Sequence, residues 1–219
     1  MDVVSKMSVS YNDNPYIKSL LQLVPGWGSA DTLLQKRAEE IKTERMHTFF
    51  NELAKGQHEL TDELIKSEDF LHCFFSTMKA ALNTRHREKI RMLARLLNSS
   101  VSPSINSNTD EYEELLAVLE AISLREFNAL YILFQFEQSS PQQEKENTLQ
   151  SIMKYWEEFK SNVIRDLKMP ENSLAAFMAK IERTGLYLRL TGGFYDYKGD
   201  LGQTTPLFKR LLEFIETKS

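Results

Sequence analysis

The sequence predicts a mainly α-helical protein: a helical bundle, then a helical subdomain with one small β-hairpin. Three observations predict it. Apolar residues return at spacings of three and four through most of the 219 residues. Only 8 glycines and 6 prolines punctuate the chain, too few for a turn-rich β-sandwich. The period shortens to two only late, on either side of Gly192-Gly193.

Composition sets the outer limits. The chain is 42% hydrophobic and 26% charged, which is globular rather than disordered. At this length folding removes about 70% of the unfolded chain's surface from water, so a core needs neither metal nor disulfide. The single cysteine, Cys73, excludes an intrachain disulfide and a zinc site with several thiolates. A formal net charge of −4 and a pI near 5.7 argue against a generally basic nucleic-acid binder. The N-terminus lacks a signal-peptide core, and the longest purely apolar run is Ala129 to Phe134. A cytoplasmic protein is the expectation.

Residues 1–15 are polar and read as a flexible N-terminus. "YIKSLLQLV" stops at Pro25, and "PGWGS" reads as a turn with Trp27 between two glycines. Trp27 is a packed turn residue or, alternatively, a surface anchor. No third glycine or Gly-Lys-Ser/Thr completes a phosphate loop. From Asp31 to Lys55, the positions Leu34, Ala38, Ile41, Phe49 and Leu53 predict a helix, and Gly56 ends it. A short helix follows over about 57–66. Ser67 caps a third helix, with Glu68 and Asp69 at its dipole-favoured end and Phe70, Leu71, Phe74, Phe75, Met78 and Leu82 as its apolar stripe. Thr84 is read as the cap of a fourth helix, "RHREKIRMLARLL", which closes a bundle over 16–98.

"NSSVSPSINSNTD" is a polar linker, placed at 99–108, and a second subdomain spans 109–219. Asp110 with Glu113 and Ser123 with Glu126 have capping-box spacing. After a second polar linker, "QSSPQQEKEN", comes the helix "TLQSIMKYWEEFKSNVIRDL". Pro170 and Asn172 restart a helix that runs to Arg183 and closes at Gly185. Two β-like runs flank Gly192-Gly193, "KGDLGQT" reads as loop, and Thr205-Pro206 opens the last helix.

"SLREFNALYILF" and "SLAAFMAKIERTGLYLRLTGGF" together resemble a winged helix domain of the MarR-like arrangement, over about 123–216. The resemblance implies a recognition-type helix over about Glu171 to Arg183. It would place Asn172, Ser173, Ala176, Lys180 and Arg183 toward a groove, with Arg189 and Lys198 on the wing. The chain departs from a DNA reader in charge: from Ser123 onward, 13 Lys and Arg balance 13 Asp and Glu. Non-specific DNA affinity comes mainly from neutralised phosphates. That balance favours the protein–protein use of such domains.

The densest basic cluster lies elsewhere, at Arg85, His86, Arg87, Lys89, Arg91 and Arg95. Arg87, Arg91 and Arg95 recur every fourth residue on one helix face. This face suits an anionic partner; the blander alternative is a solvated face paired with acidic helices of the same chain at Glu39–Glu40 or Glu111–Glu114. On the hairpin, Tyr195 and Tyr197 share one face and Phe194 takes the other, an aromatic surface of the kind used in binding. His47, His58, His72 and His86 make no metal signature, and Ser151-x-x-Lys154 matches a catalytic motif by letters only. No cofactor motif or small-molecule substrate is indicated. The sequence therefore leads to a non-enzymatic interaction or regulatory protein in an oligomer or multi-subunit assembly, using the basic helix face and the hairpin. The alternatives are a winged-helix transcription regulator and a membrane-surface protein.

Overall fold

The structure is a computed structural model, and it describes residue 17 and residues 33–56, 61–100, 109–140, 147–191 and 201–216. Trp27, Tyr195, Tyr197 and Lys198 lie outside the described residues. Among those described, the chain is mainly α with one small antiparallel sheet. The order is α1 (Leu33–Leu53), α2 (Asp62–Lys66), α3 (Glu68–Asn83), α4 (Arg87–Ser100), α5 (Thr109–Ala121), α6 (Leu124–Ser139), α7 (Thr148–Asp166), a 3-10 turn (Glu171–Ser173), α8 (Leu174–Glu182), β1 (Tyr187–Arg189), β2 (Gly202–Thr204) and α9 (Pro206–Ile215). Two compact units divide it: Met1–Leu119 with Phe214–Ser219, and Glu120–Glu213.

In the first unit α1 lies along α4, and α3 packs on both. Glu44 pairs with Arg87 and Glu52 with Arg95, each 43 residues on, so α1 and α4 run parallel in one register. Their shared core holds Phe49, Phe50, Phe74, Ile90, Leu93 and Leu97. Full burial of each such side chain is worth about 1.5–3 kcal/mol. Phe49 meets Phe50 edge-on at 5.6 Å, a preferred aromatic geometry. α5 follows the polar segment 99–108 and clusters with this unit: its buried Tyr112 hydroxyl bonds to Thr77 Oγ1.

Two local expectations change here. Ser67 does cap α3, accepting from the Phe70 N–H. Thr84, however, closes α3 rather than opening α4: its N–H donates to Ala81 O at 3.2 Å and its Oγ1 to Ala80 O at 2.9 Å. The last carbonyls of a helix lack partners within it, and Thr84 is the nearest donor. α4 begins at Arg87, with the Ile90 N–H donating back to His86 O. The aromatic stripe of α3 is also narrower than its spacing implies. Phe70, Phe74 and Met78 are buried with Cys73 and Thr77, while Phe75 is 46% exposed.

In the second unit α6 packs on α7 and on β2. The Ser123–Glu126 capping box forms. So does an Asn147–Gln150 box of the same three-residue spacing at the start of α7. The segment expected to be one helix from Pro170 is a 3-10 turn followed by the nine residues of α8. Gly185 takes φ 75° after α8, the left-handed conformation that glycine adopts without strain. At the start of α9, Thr205 Oγ1 accepts from the Phe208 N–H at 3.3 Å, as its sequence position implied.

The strand pairing corrects the reading of "KGDLGQT" as loop. β2 is Gly202–Thr204, and it pairs antiparallel with β1: Tyr187 opposite Thr204, Leu188 opposite Gln203, Arg189 opposite Gly202. The run at 194–197 lies outside the described residues. Glycine is required in β2 because the Tyr187 ring crosses diagonally above Gly202, where a Cβ would fall 2.1 Å from the Tyr187 hydroxyl. Glu137 of α6 then holds the strand, accepting from the Thr204 N–H at 2.6 Å and from its hydroxyl. Gly202→Ala is expected to cost about 2 kcal/mol, the range of an overpacked core. A urea melt checks it, and Tyr187→Phe in the same background should recover little, because the ring carbons that phenylalanine keeps would still lie 2.2 and 2.4 Å from the added Cβ.

Candidate anion-binding cleft

Ile41, Glu44, Arg45 and Thr48 follow one another at intervals of three, one and three, so they share one face of α1. That face forms one wall of a cleft of about 320 Å³. The other wall is Arg85, Arg87 and Ile90, from the α3–α4 connection and the first turn of α4. The isoleucines give the cleft an apolar floor, and three guanidinium groups surround it.

Each arginine is held differently. Arg45 is half-buried and donates to Leu82 O, one of the orphan carbonyls at the end of α3. Its remaining donors are available to the cleft, because a guanidinium carries five N–H groups. Arg87 pairs with Glu44, and both side chains are more than half exposed. Such exposed pairs contribute about 0–1 kcal/mol. Arg85 is exposed and has no ion-pair partner among the described residues. With Glu44, the lining carries three positive charges against one negative.

The rest of the basic helix is engaged within the unit. Arg91 pairs with Glu88 at 2.9 Å. Arg95 Nε donates to Glu52 Oε1 at 2.6 Å, and Lys55 approaches the other carboxylate oxygen at 2.9 Å. Lys89 is half-buried. Among the described residues, the acidic partners of Arg87, Arg91 and Arg95 are Glu44, Glu88 and Glu52. Burial would push the Glu52 carboxyl up, but hydrogen bonds and charge from Lys55 and Arg95 overcome this and hold it below the ordinary carboxylate value.

The second unit distributes its predicted residues differently. Asn172 sits exposed in the 3-10 turn. Lys180 is bonded at 2.8 Å to Glu126, which is only 2% exposed. There too burial pushes the carboxyl up, and Lys180 with the Ser123 cap reverses the shift. Arg189 pairs with Glu182 at 3.2 Å. Arg183 is exposed at the end of α8. Among the described cations of this helix and hairpin, Lys180 and Arg189 thus neutralise carboxylates of their own unit.

Other chemistry is sparse among the described residues. Burial first, then Asp69 and Glu113, pushes the Cys73 thiol up to about 11, so it stays protonated at neutral pH. His72 bonds to Glu113 at 2.7 Å beside an open depression of about 610 Å³. No described group of three or more His, Cys, Asp or Glu is placed to hold a metal. No described helix is long and apolar enough to cross a membrane. No family model matches the chain, and no curated protein or solved structure is found to match it.

The α1 wall was missed in the sequence. Its four residues have helical spacing and were legible as a face, but nothing in the order of residues placed that face opposite Arg85 and Arg87. The Glu52 contact is directly testable. Arg95→Met should lower stability by about 2 kcal/mol at neutral pH, less than for a fully isolated buried charge because Lys55 remains. A carboxyl lowered by folding stabilises above its unfolded pKa and loses that contribution as pH falls through its folded value. The difference between wild type and Arg95→Met in urea melts should therefore shrink on acidification.

Proposed function

We propose that this chain is a non-enzymatic interaction protein that works within a multi-subunit or oligomeric assembly and receives an anionic segment of a protein partner. The observation that carries this reading is the convergence of Arg45, Arg85 and Arg87 on one cleft with an apolar floor. Arg85 brings a charge without an internal partner among the described residues, and Arg87 is held only by an exposed pair. Charges so placed steer a complementary surface and fix its orientation. The aromatic residues Tyr195 and Tyr197 would add a second contact under the same reading.

A second reading, a winged-helix DNA reader, is supported by the passage from α8 through Gly185 into β1 and by exposed Arg183. Against it, Lys180 and Arg189 are paired with Glu126 and Glu182. Reading DNA would require breaking these pairs or doing without several phosphate contacts.

Fluorescence anisotropy separates the two. The probes are a labelled peptide carrying both phosphoserine and glutamate, and a labelled random duplex. The interaction reading expects the peptide to bind and Arg85→Glu/Arg87→Glu to weaken it by about tenfold or more, some 1.4 kcal/mol. Absence of peptide binding at low salt overturns it. So does duplex binding that falls steeply with salt, survives the double reversal and disappears in Arg183→Glu.

A further inference from the structure

The charge and size of the cleft select among anions. Its lining carries Arg45, Arg85 and Arg87 against Glu44, a surplus of two positive charges. A single carboxylate supplies one negative charge and leaves the surplus half compensated. A phosphate monoester carries about −1.5 to −2 at neutral pH and has three strong acceptor oxygens. Guanidinium groups match such oxygens in pairs, which an ammonium does not.

From this we infer that the cleft is a receptor for a phosphate monoester on a protein side chain, a phosphoserine or phosphothreonine of the partner. The inference rests on the reading of this cleft as the partner site. The volume, about 320 Å³, lies at the small end of ligand pockets, which run to about 1,000 Å³. It suits one modified side chain. Ile41 and Ile90 form a floor against which the methylenes of that side chain and its neighbours can pack.

The arrangement also supplies a release. Glu44 pairs with Arg87, and both side chains are more than half exposed to water. An incoming dianion competes with that one carboxylate and gains Arg85 in addition. Arg45 stays anchored on Leu82 O, so one donor is already oriented before binding. Glu44 also gives specificity, because it repels an anion too weak to displace it from Arg87.

The test uses the full chain and two labelled peptides that differ at one position, phosphoserine in one and glutamate in the other. The phosphopeptide should bind at least about tenfold more tightly, a gap of some 1.4 kcal/mol. Free O-phosphoserine should compete with it, and succinate should not. Arg85→Gln removes the exposed arginine without touching a described ion pair, and should bring the two peptides to equal affinity. Arg37→Gln, an exposed α1 arginine paired with Glu40 and absent from the cleft lining, should leave the gap intact. Equal binding of both peptides by the wild type overturns the phosphate inference and leaves the anionic-partner reading standing. Absence of binding by either peptide overturns both. A phosphopeptide preference that persists in Arg85→Gln overturns the assignment to this cleft. Thermal melts of the variants, coincident with wild type, exclude unfolding as the cause.

Discussion

A carboxylate taken out of water holds α1 against α4. Glu52 is 5% exposed, and an isolated charge there would be costly. Arg95 from α4 and Lys55 from just beyond α1 compensate it. Because one partner lies on each side of the contact, the pair also sets register. Glu44 and Arg87 repeat the same 43-residue offset two helical turns earlier. Asn98 adds a contact at the other end, 45 residues on, donating to Leu53 O at 3.0 Å. With that offset in place, the face bearing Arg45 stands across from Arg85 and Arg87. A slip by one turn would uncouple all three contacts and dismantle the cleft.

The second unit applies the same physics to different ends. Glu126 lies under Lys180, and Glu137 lies beneath β2. For Glu137, burial outweighs the Thr204 hydrogen bonds and the Lys209 charge at 3.9 Å, so its carboxyl is pushed up. These acids organise the packing of α8 and of the sheet. Glu126 also answers Lys180, a cation that a DNA reader would turn outward. In the first unit, by contrast, the exposed arginines around the cleft have only Glu44 among them.

Much of the fold was legible because it rests on local rules. Ser67 and Ser123 caps, the glycine after α8 and the Thr-Pro start of α9 are short-range devices, read within four residues of where they act. Thr84 failed because it stands between two helices and can serve either, and the choice depends on which backbone groups lack partners. The strand at 202–204 failed for a related reason. "LGQT" has little β propensity of its own, and it becomes a strand through Glu137 and the ring of Tyr187, 67 and 15 positions away in sequence. Phe75 matched the apolar spacing of α3 and still faces solvent, because the buried sector of that helix turned toward Cys73 and Thr77 instead.

By itself, the sequence determined the helical class, most element boundaries and the presence of a basic stretch around Arg85–Arg95. These depend on periodicity, capping and composition, which are properties of neighbouring residues. Tertiary structure alone decided which of those charges have partners. Arg95 and Arg87 have the same residue type and the same face, yet one meets a buried carboxylate and the other an exposed one. An ion pair's strength depends on the solvent around it, and solvent is excluded only where distant segments close over a site. That is also why Arg45, 40 residues before Arg85 and on a different helix, joins Arg85 and Arg87 only after folding.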